Sequence, residues 1–147
     1  MTPDNYKIKT AIISVSDKTG IVELAQQLTN IGITIYSTGG TATLLKENNI
    51  SVKNISDLTS FPEILDGRVK TLHPKVHAGL LADLSNQQHL TTLNEHNLIS
   101  IDLVIVNLYP FEECLNNEKI NNDHNILIEN IDIGGPTMLR SAAKNYQ

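Results

Sequence analysis

The chain has 147 residues, eleven basic against sixteen acidic, for a formal net charge of −5; that length fits one domain with a buried core, and the ordinary apolar content argues against disorder. The acidic balance excludes general nucleic-acid binding, and the single cysteine, Cys114, excludes an internal disulfide and the usual cysteine-based zinc sites, reading as a small buried hydrophobe. No apolar run approaches a membrane span and no signal-peptide pattern opens the chain, so a cytoplasmic protein with no membrane partner is expected.

Residues 1–9 are polar and expected to fray. Thr10-Ala11-Ile12-Ile13-Ser14-Val15 reads as a buried strand, followed by the turn-rich Ser16-Asp17-Lys18-Thr19-Gly20. From Ile21 the apolar residues Ile21, Leu24, Ala25, Leu28 and Ile31 keep a helical period, which Gly32 stops. Residues 33–36 form a second strand. Ser37-Thr38-Gly39-Gly40-Thr41 then leads into a short helix through Leu44 and Leu45, ended by Asn48-Asn49, and residues 52–55 form a third strand. Strand–loop–helix alternation argues for a parallel sheet with helices on its faces.

Residues 61–65 are expected to make one helical turn. Residues 74–81 read as a helix with Val76, Leu80 and Leu81 inward, and Ser85 is expected to cap a second helix over 86–96. Leu103-Val104-Ile105-Val106 reads as a buried strand, ended by Tyr109-Pro110-Phe111. Residues 116–122 form a surface loop and 125–130 a short helix. Ile131-Asp132-Ile133-Gly134-Gly135 reads as a strand entering a glycine turn, and Pro136 starts a helix through Lys144.

The polar motifs fall after strands, where open parallel sheets bind ligands. Thr38-Gly39-Gly40-Thr41 suits a phosphate, because glycines let the backbone approach an anion and a helix start presents unpaired N–H groups. Ser16-Asp17-Lys18-Thr19 adds a lysine and hydroxyls, without the leading glycines of a Walker loop. The central stretch runs Gly67-Arg68-Val69-Lys70-Thr71-Leu72-His73-Pro74-Lys75-Val76-His77. Gly67 frees the backbone before Arg68, and Arg68 and Lys70, two apart in an extended segment, point to one side. On charge alone this is a solvated basic loop; beside two anion-suited loops it favours one phosphorylated small molecule. Thr137, Ser141 and Lys144 share a helix face. A terminal lysine usually just complements the helix dipole, but one facing Asp132 across a pocket can move protons. His73 and His77 lie four apart, yet Pro74 intervenes and no further ligand accompanies them, so no metal site is expected.

Taken together, Ser14-Val15-Ser16-Asp17-Lys18-Thr19-Gly20, Ser37-Thr38-Gly39-Gly40-Thr41, Gly67 to Pro74, Asn107-Leu108-Tyr109-Pro110-Phe111, Asn130 to Gly135 and Ala142-Ala143-Lys144-Asn145 stand in the order of one family. The chain resembles the N-terminal, IMP cyclohydrolase portion of the bifunctional purine biosynthesis proteins of the PurH family. The resemblance implies an α/β, methylglyoxal-synthase-like, three-layer domain. It implies ring closure of the formylated aminoimidazole carboxamide ribonucleotide to IMP with loss of water, needing no metal or organic cofactor. By motif match Ser16, Asp17, Lys18, Thr38, Gly39, Gly40 and Thr41 bind the 5′-phosphate end, and Arg68, Lys70 and Thr71 line the ligand. Asn107 and Tyr109 border the base, Asp132, Ile133 and Gly134 contact it, and Lys144 matches the proton donor/acceptor. Lys70, Tyr109, Asp132 and Lys144 are thus the expected catalytic set. The resemblance admits a homodimer, favoured most in the full-length protein. It also implies that the transformylase domain of the family is absent, that the cyclohydrolase domain is incomplete at its C-terminal end, and that Tyr146 stands where a His is common. A non-catalytic module sensing a phosphorylated ligand is the alternative, with methylglyoxal synthase a more distant one.

Overall fold

The computed structural model describes residues 6–146. Its centre is a four-stranded, all-parallel sheet in the order β3-β2-β1-β4. The strands are β1 (Thr10–Ser14), β2 (Thr34–Ser37), β3 (Val52–Asn54) and β4 (Leu103–Val106). The register sets Ile12 beside Tyr36 on one side and Val104 on the other. Side chains alternate across a strand, so β1 feeds two cores. Ala11 and Ile13 enter one with Ile35, Ile21, Ala25 and Leu45, beneath helices α1 (Ile21–Asn30) and α2 (Gly39–Glu47). Ile12 and Tyr36 enter the other with Ile55, Val76, Leu80, Ile101 and Met138, against α3 (Ile55–Thr59), α4 (Pro74–Leu81) and, further along the chain, α8 (Gly134–Lys144). Ala11, Ile12 and Ile13 are fully buried, as the unbroken apolar run of a central parallel strand requires. The remaining helices are α5 (Gln87–Glu95), α6 (Phe111–Asn116) and α7 (His124–Glu129). The result is the expected α/β arrangement of helix, parallel sheet and helix.

Several expectations are corrected. Of the segment expected to fray, residues 1–5 lie outside the described residues. Tyr6, however, donates its hydroxyl to Asp102, whose other oxygen accepts the Lys9 and Thr10 N–H groups at 2.8 and 3.0 Å. Burial and that carboxylate push the Tyr6 hydroxyl up to about 12. Ile31 caps α1 and is exposed, since the helix has ended before its side chain reaches the core. Leu81 likewise points outward from the last position of α4. Residues 61–65 form no helical turn. Ser60, left-handed at φ 58°, ends α3, and Ile64 and Val69 form an antiparallel bridge around a turn in which Leu65, Asp66 and Gly67 all have positive φ. The cap of α5 is Asn86, which accepts from Gln88 and His89, while Ser85 donates to Asp83. The strand expected at 131–135 does not form, because α8 begins at Gly134, two residues before Pro136, and Asp132 is engaged in starting it. β4 is half-buried rather than buried, being one of the two edge strands. Two helices went unforeseen: α3, which opens with a capping box between Asn54 and Asp57, and α6, which carries the buried Cys114.

Candidate functional site

Loops from the carboxyl ends of β1, β2 and β4 surround a cleft of about 500 Å³, a volume ordinary for a small-molecule site. Ser16, Lys18, Thr38, Gly39, Gly40, Thr41, Arg68, Lys70, Thr71, Asn107, Tyr109, Asp132, Ile133 and Gly134 all line it, so the expected set converges with two exceptions. Asp17 accepts from the Thr19 N–H at 2.9 Å and from its hydroxyl at 2.7 Å. Those bonds hold its carboxyl below the usual range, and it lies outside the cleft wall. Lys144, the last residue of α8, is exposed and also outside the wall. A helix rises about 1.5 Å per residue, so Lys144 sits roughly 15 Å from Gly134. The face it shares with Ser141 turns to α4, where Ser141 meets His77 at 2.9 Å.

One end of the cleft is built for an anion. The first bond within α2 runs from Ala42 N–H to the Thr38 carbonyl, leaving the N–H groups of Gly39, Gly40 and Thr41 ahead of the helical ladder. Lys70 Nζ stands 3.9 Å from where a Cβ on Gly39 would lie and equally far from one on Gly67. Lys18 Nζ would be 3.9 Å from a Cβ on Gly40 and donates to the Ser16 carbonyl. Two ammonium groups therefore flank a helix N-terminus, where dipole and charge act together.

Some expected ligand residues prove to be architecture. Thr41 Oγ1 donates to the Val15 carbonyl at 2.9 Å and accepts the Val15 N–H, and the Thr38 and Ser14 hydroxyls are 3.0 Å apart. These hydroxyls tie the start of α2 to the end of β1, and since Thr41 spends its hydroxyl proton on Val15, the donor it offers a ligand is its backbone N–H. Asn107 is likewise committed. Its Oδ1 accepts from Ser16 and Asp17 N–H at 2.6 and 3.1 Å, and its amide donates to the Asp17 carbonyl at 2.7 Å. It fastens the Ser16–Lys18 loop over the sheet.

The other end carries carboxylates. Asp132 Oδ1 accepts the Gly135 N–H at 3.0 Å, a capping role, and its Oδ2 has no hydrogen-bond partner among the described residues. Arg68 is paired with Glu129, which raises the guanidinium and lowers the carboxyl in the usual sense of an opposite charge. Arg68 thus faces Glu129 rather than standing free beside Lys70. Asp66, Ile128, Glu129 and Met138 also line the wall, and motif reading left them out. Glu129 carried a signal, as an acid just before the Asn130 motif, and nothing in the chain ties it to an arginine 61 positions away. His73 caps α4 by accepting from Lys75 N–H, while His77 faces Ser141, so the two imidazoles have different partners. Among the described residues no three His, Cys, Asp or Glu cluster as a metal site would require.

Fold and cleft define an α/β domain with an anion-adapted pocket at the carboxyl ends of a parallel sheet. Residues 20–137 match the family model of the MGS-like domain, and the chain belongs to that family. It is 62% identical over 140 residues to the bifunctional purine biosynthesis protein PurH of Acetivibrio thermocellus, covering 95% of this chain and 27% of that protein. The PurH of Caldicellulosiruptor saccharolyticus is 60% identical over 139 residues (95% and 27%), and that of Staphylococcus aureus strain Newman 59% over 140 (95% and 28%). The chain thus spans about a quarter of the length of the curated relatives it matches, at their N-terminal end. Among solved structures, the crystal structure of ForH superposes with a TM-score of 0.79 at 37% identity, over 95% of this chain and 70% of that one. No helix among the described residues is long and apolar enough to cross a membrane.

Proposed function

We propose that the chain is an IMP cyclohydrolase domain, a cyclic amidine hydrolase that closes 5-formamidoimidazole-4-carboxamide ribonucleotide to IMP. The observation that carries this reading is the polarity of the cleft: two lysines and a helix N-terminus at one end, the free oxygen of Asp132 at the other. The 5′-phosphate sits against Gly39, Gly40, Lys18 and Lys70, and the imidazole carboxamide extends toward Tyr109, Asp132 and Gly134. The carboxamide nitrogen attacks the formyl carbon and gives up one proton as the formyl oxygen takes one, leaving a hydroxyl on the new ring carbon. The formamido nitrogen then loses its proton, a C=N bond forms, the C–O bond breaks and the hydroxyl leaves with a second proton as water, so atoms balance without a cofactor. Asp132 takes and returns the proton, and donors from Lys70 and Tyr109 stabilise the developing oxyanion. Holding the two groups of one molecule together supplies much of the rate. The proton donor/acceptor role of Lys144 rests on the motif match alone, whereas Lys70, Tyr109 and Asp132 have a place in the cleft as well. In this reading the protein acts in the cytoplasm on this nucleotide, and a homodimer is the assembly the resemblance admits, favoured most in the full-length protein.

The test is turnover of the formylated ribonucleotide, followed by the absorbance of the forming purine ring. Lys70→Ala and Asp132→Asn are each expected to lose roughly 10²–10⁴-fold in rate. IMP binding without turnover by the wild-type chain would instead support a ligand-sensing module. Lys144→Ala tested alongside separates the roles. A comparable loss of rate at unchanged IMP affinity supports proton transfer by Lys144, and a wild-type rate leaves that task to Asp132 and Lys70.

A further inference from the structure

Helix α8 is fastened at three points, one to Thr71 and two to α4, the helix that comes after it. At its start Gly134 lies against Thr71, so closely that a Cβ would stand 2.5 Å from Thr71 Oγ1. Past its end Asn145 donates to the carbonyls of Leu80 and Ala82, both at 3.0 Å. Between these, Ser141 Oγ and His77 Nδ1 lie 2.9 Å apart. His77 sits one turn into α4, which begins at Pro74, three residues after Thr71, and the Thr71 carbonyl accepts the N–H of its cap His73 at 2.9 Å. The second ring nitrogen, Nε2, is buried without a hydrogen-bond partner among the described residues.

A histidine between two helices is often mere filling, and an apolar ring would serve that purpose without burying a polar nitrogen. Burial lowers the affinity of this ring for a second proton, while the Thr71 carbonyl acts the other way. The neutral ring has one proton. With Ser141 donating to Nδ1, that proton is on Nε2. We propose that His77 is a positioning residue for the cleft: bonded to Ser141 through Nδ1 and protonated at Nε2, it fixes the gap between the Lys70–Thr71 wall and the Asp132–Gly134 wall. The consequence for ligand affinity rests on the cyclohydrolase reading. The positioning itself does not.

The experiment uses the ¹⁵N-labelled chain with His77→Asn, His77→Phe and Ser141→Ala. Ring-nitrogen shifts of wild-type His77 are expected to show a bare Nδ1 and a protonated Nε2. His77→Phe is expected to shift the Thr71 and Gly134 amide signals and to weaken IMP binding about tenfold, the scale of one hydrogen bond. His77→Asn, whose amide oxygen stands near the Nδ1 position and can accept from Ser141, is expected to recover most of that affinity. A protonated Nδ1 overturns the proposal. So does a folded His77→Phe with wild-type amide signals and wild-type IMP affinity. If His77→Phe fails to fold, Ser141→Ala carries the same comparison. Should the wild-type chain bind no IMP, the cyclohydrolase reading fails, while the Thr71 and Gly134 signals still decide the positioning.

Discussion

At Gly134 a missing side chain shapes the cleft. A Cβ there would stand 2.5 Å from Thr71 Oγ1, and one on Gly135 would stand 2.7 Å from Asp132 Oδ2. Thr71 is buried, so its hydroxyl has little room to withdraw. Gly134→Ala is therefore expected to cost about 1–3 kcal/mol, the scale of overpacking. Combining it with Thr71→Ala should recover much of that loss, because the clash needs both groups. Strictly additive denaturation free energies for the two changes would show that Thr71 moves aside freely. At this scale motifs revealed which residues gather in the cleft but not what each one does. Thr41 and Asn107 belong to the matched motifs, yet their polar atoms are spent on Val15, Ser16 and Asp17. A motif records that a residue is wanted; it does not distinguish a ligand contact from a bond holding the loop that makes one.

Among the elements, α4 and the chain before β4 approach more closely than ordinary side chains allow. Ile101 N–H donates to the Gly79 carbonyl at 3.0 Å, and a Cβ on Gly79 would stand 2.6 Å from the Ile99 carbonyl oxygen. Backbone cannot rotate away as a side-chain tip does. Gly79→Ala is expected to lower the denaturant midpoint by an amount corresponding to roughly 1–3 kcal/mol, with an unchanged slope. A gain in stability, as Gly→Ala commonly gives inside an unobstructed helix, would mean that the seam relaxes at no cost. The elements that sequence made legible are those with a clear period or an unbroken apolar run, such as α1, α4 and β1. What escaped depended on tertiary context. Ile133 was expected in a strand, but the bond from Gly135 N–H to Asp132 drew that stretch into the start of α8. Leu103 to Val106 look as apolar as β1, and only the sheet order shows them to be at an edge. The capping pair Asn54 and Asp57 was present in the sequence and would have located α3.

Over the whole molecule, a net charge of −5 surrounds a cleft whose anion end depends on Lys18, Lys70 and the start of α2. General attraction for anions is therefore weak, and recognition of a phosphate rests on local geometry. Arg68 contributes less than its charge implies, since a ligand that recruits it must compete with Glu129. Under the cyclohydrolase reading, IMP and inosine share the base and ribose and differ in the phosphate. A ligand at a hundredfold excess over its dissociation constant stabilises the folded chain by about 2.7 kcal/mol. For a domain of this size that raises the melting temperature by roughly 5–10 °C. IMP is expected to give such a rise and inosine at the same concentration a much smaller one. Lys18→Ala should remove most of the difference, since a lost charge-assisted hydrogen bond costs about 1.5–3 kcal/mol, while Arg68→Ala should remove less. The measurement is a thermal melt of the three proteins with each ligand, at fixed ionic strength because exposed charges are screened. Equal shifts from IMP and inosine in the wild-type chain would show that the phosphate does not bind at the lysines, and the orientation assigned to the ligand would have to be reversed.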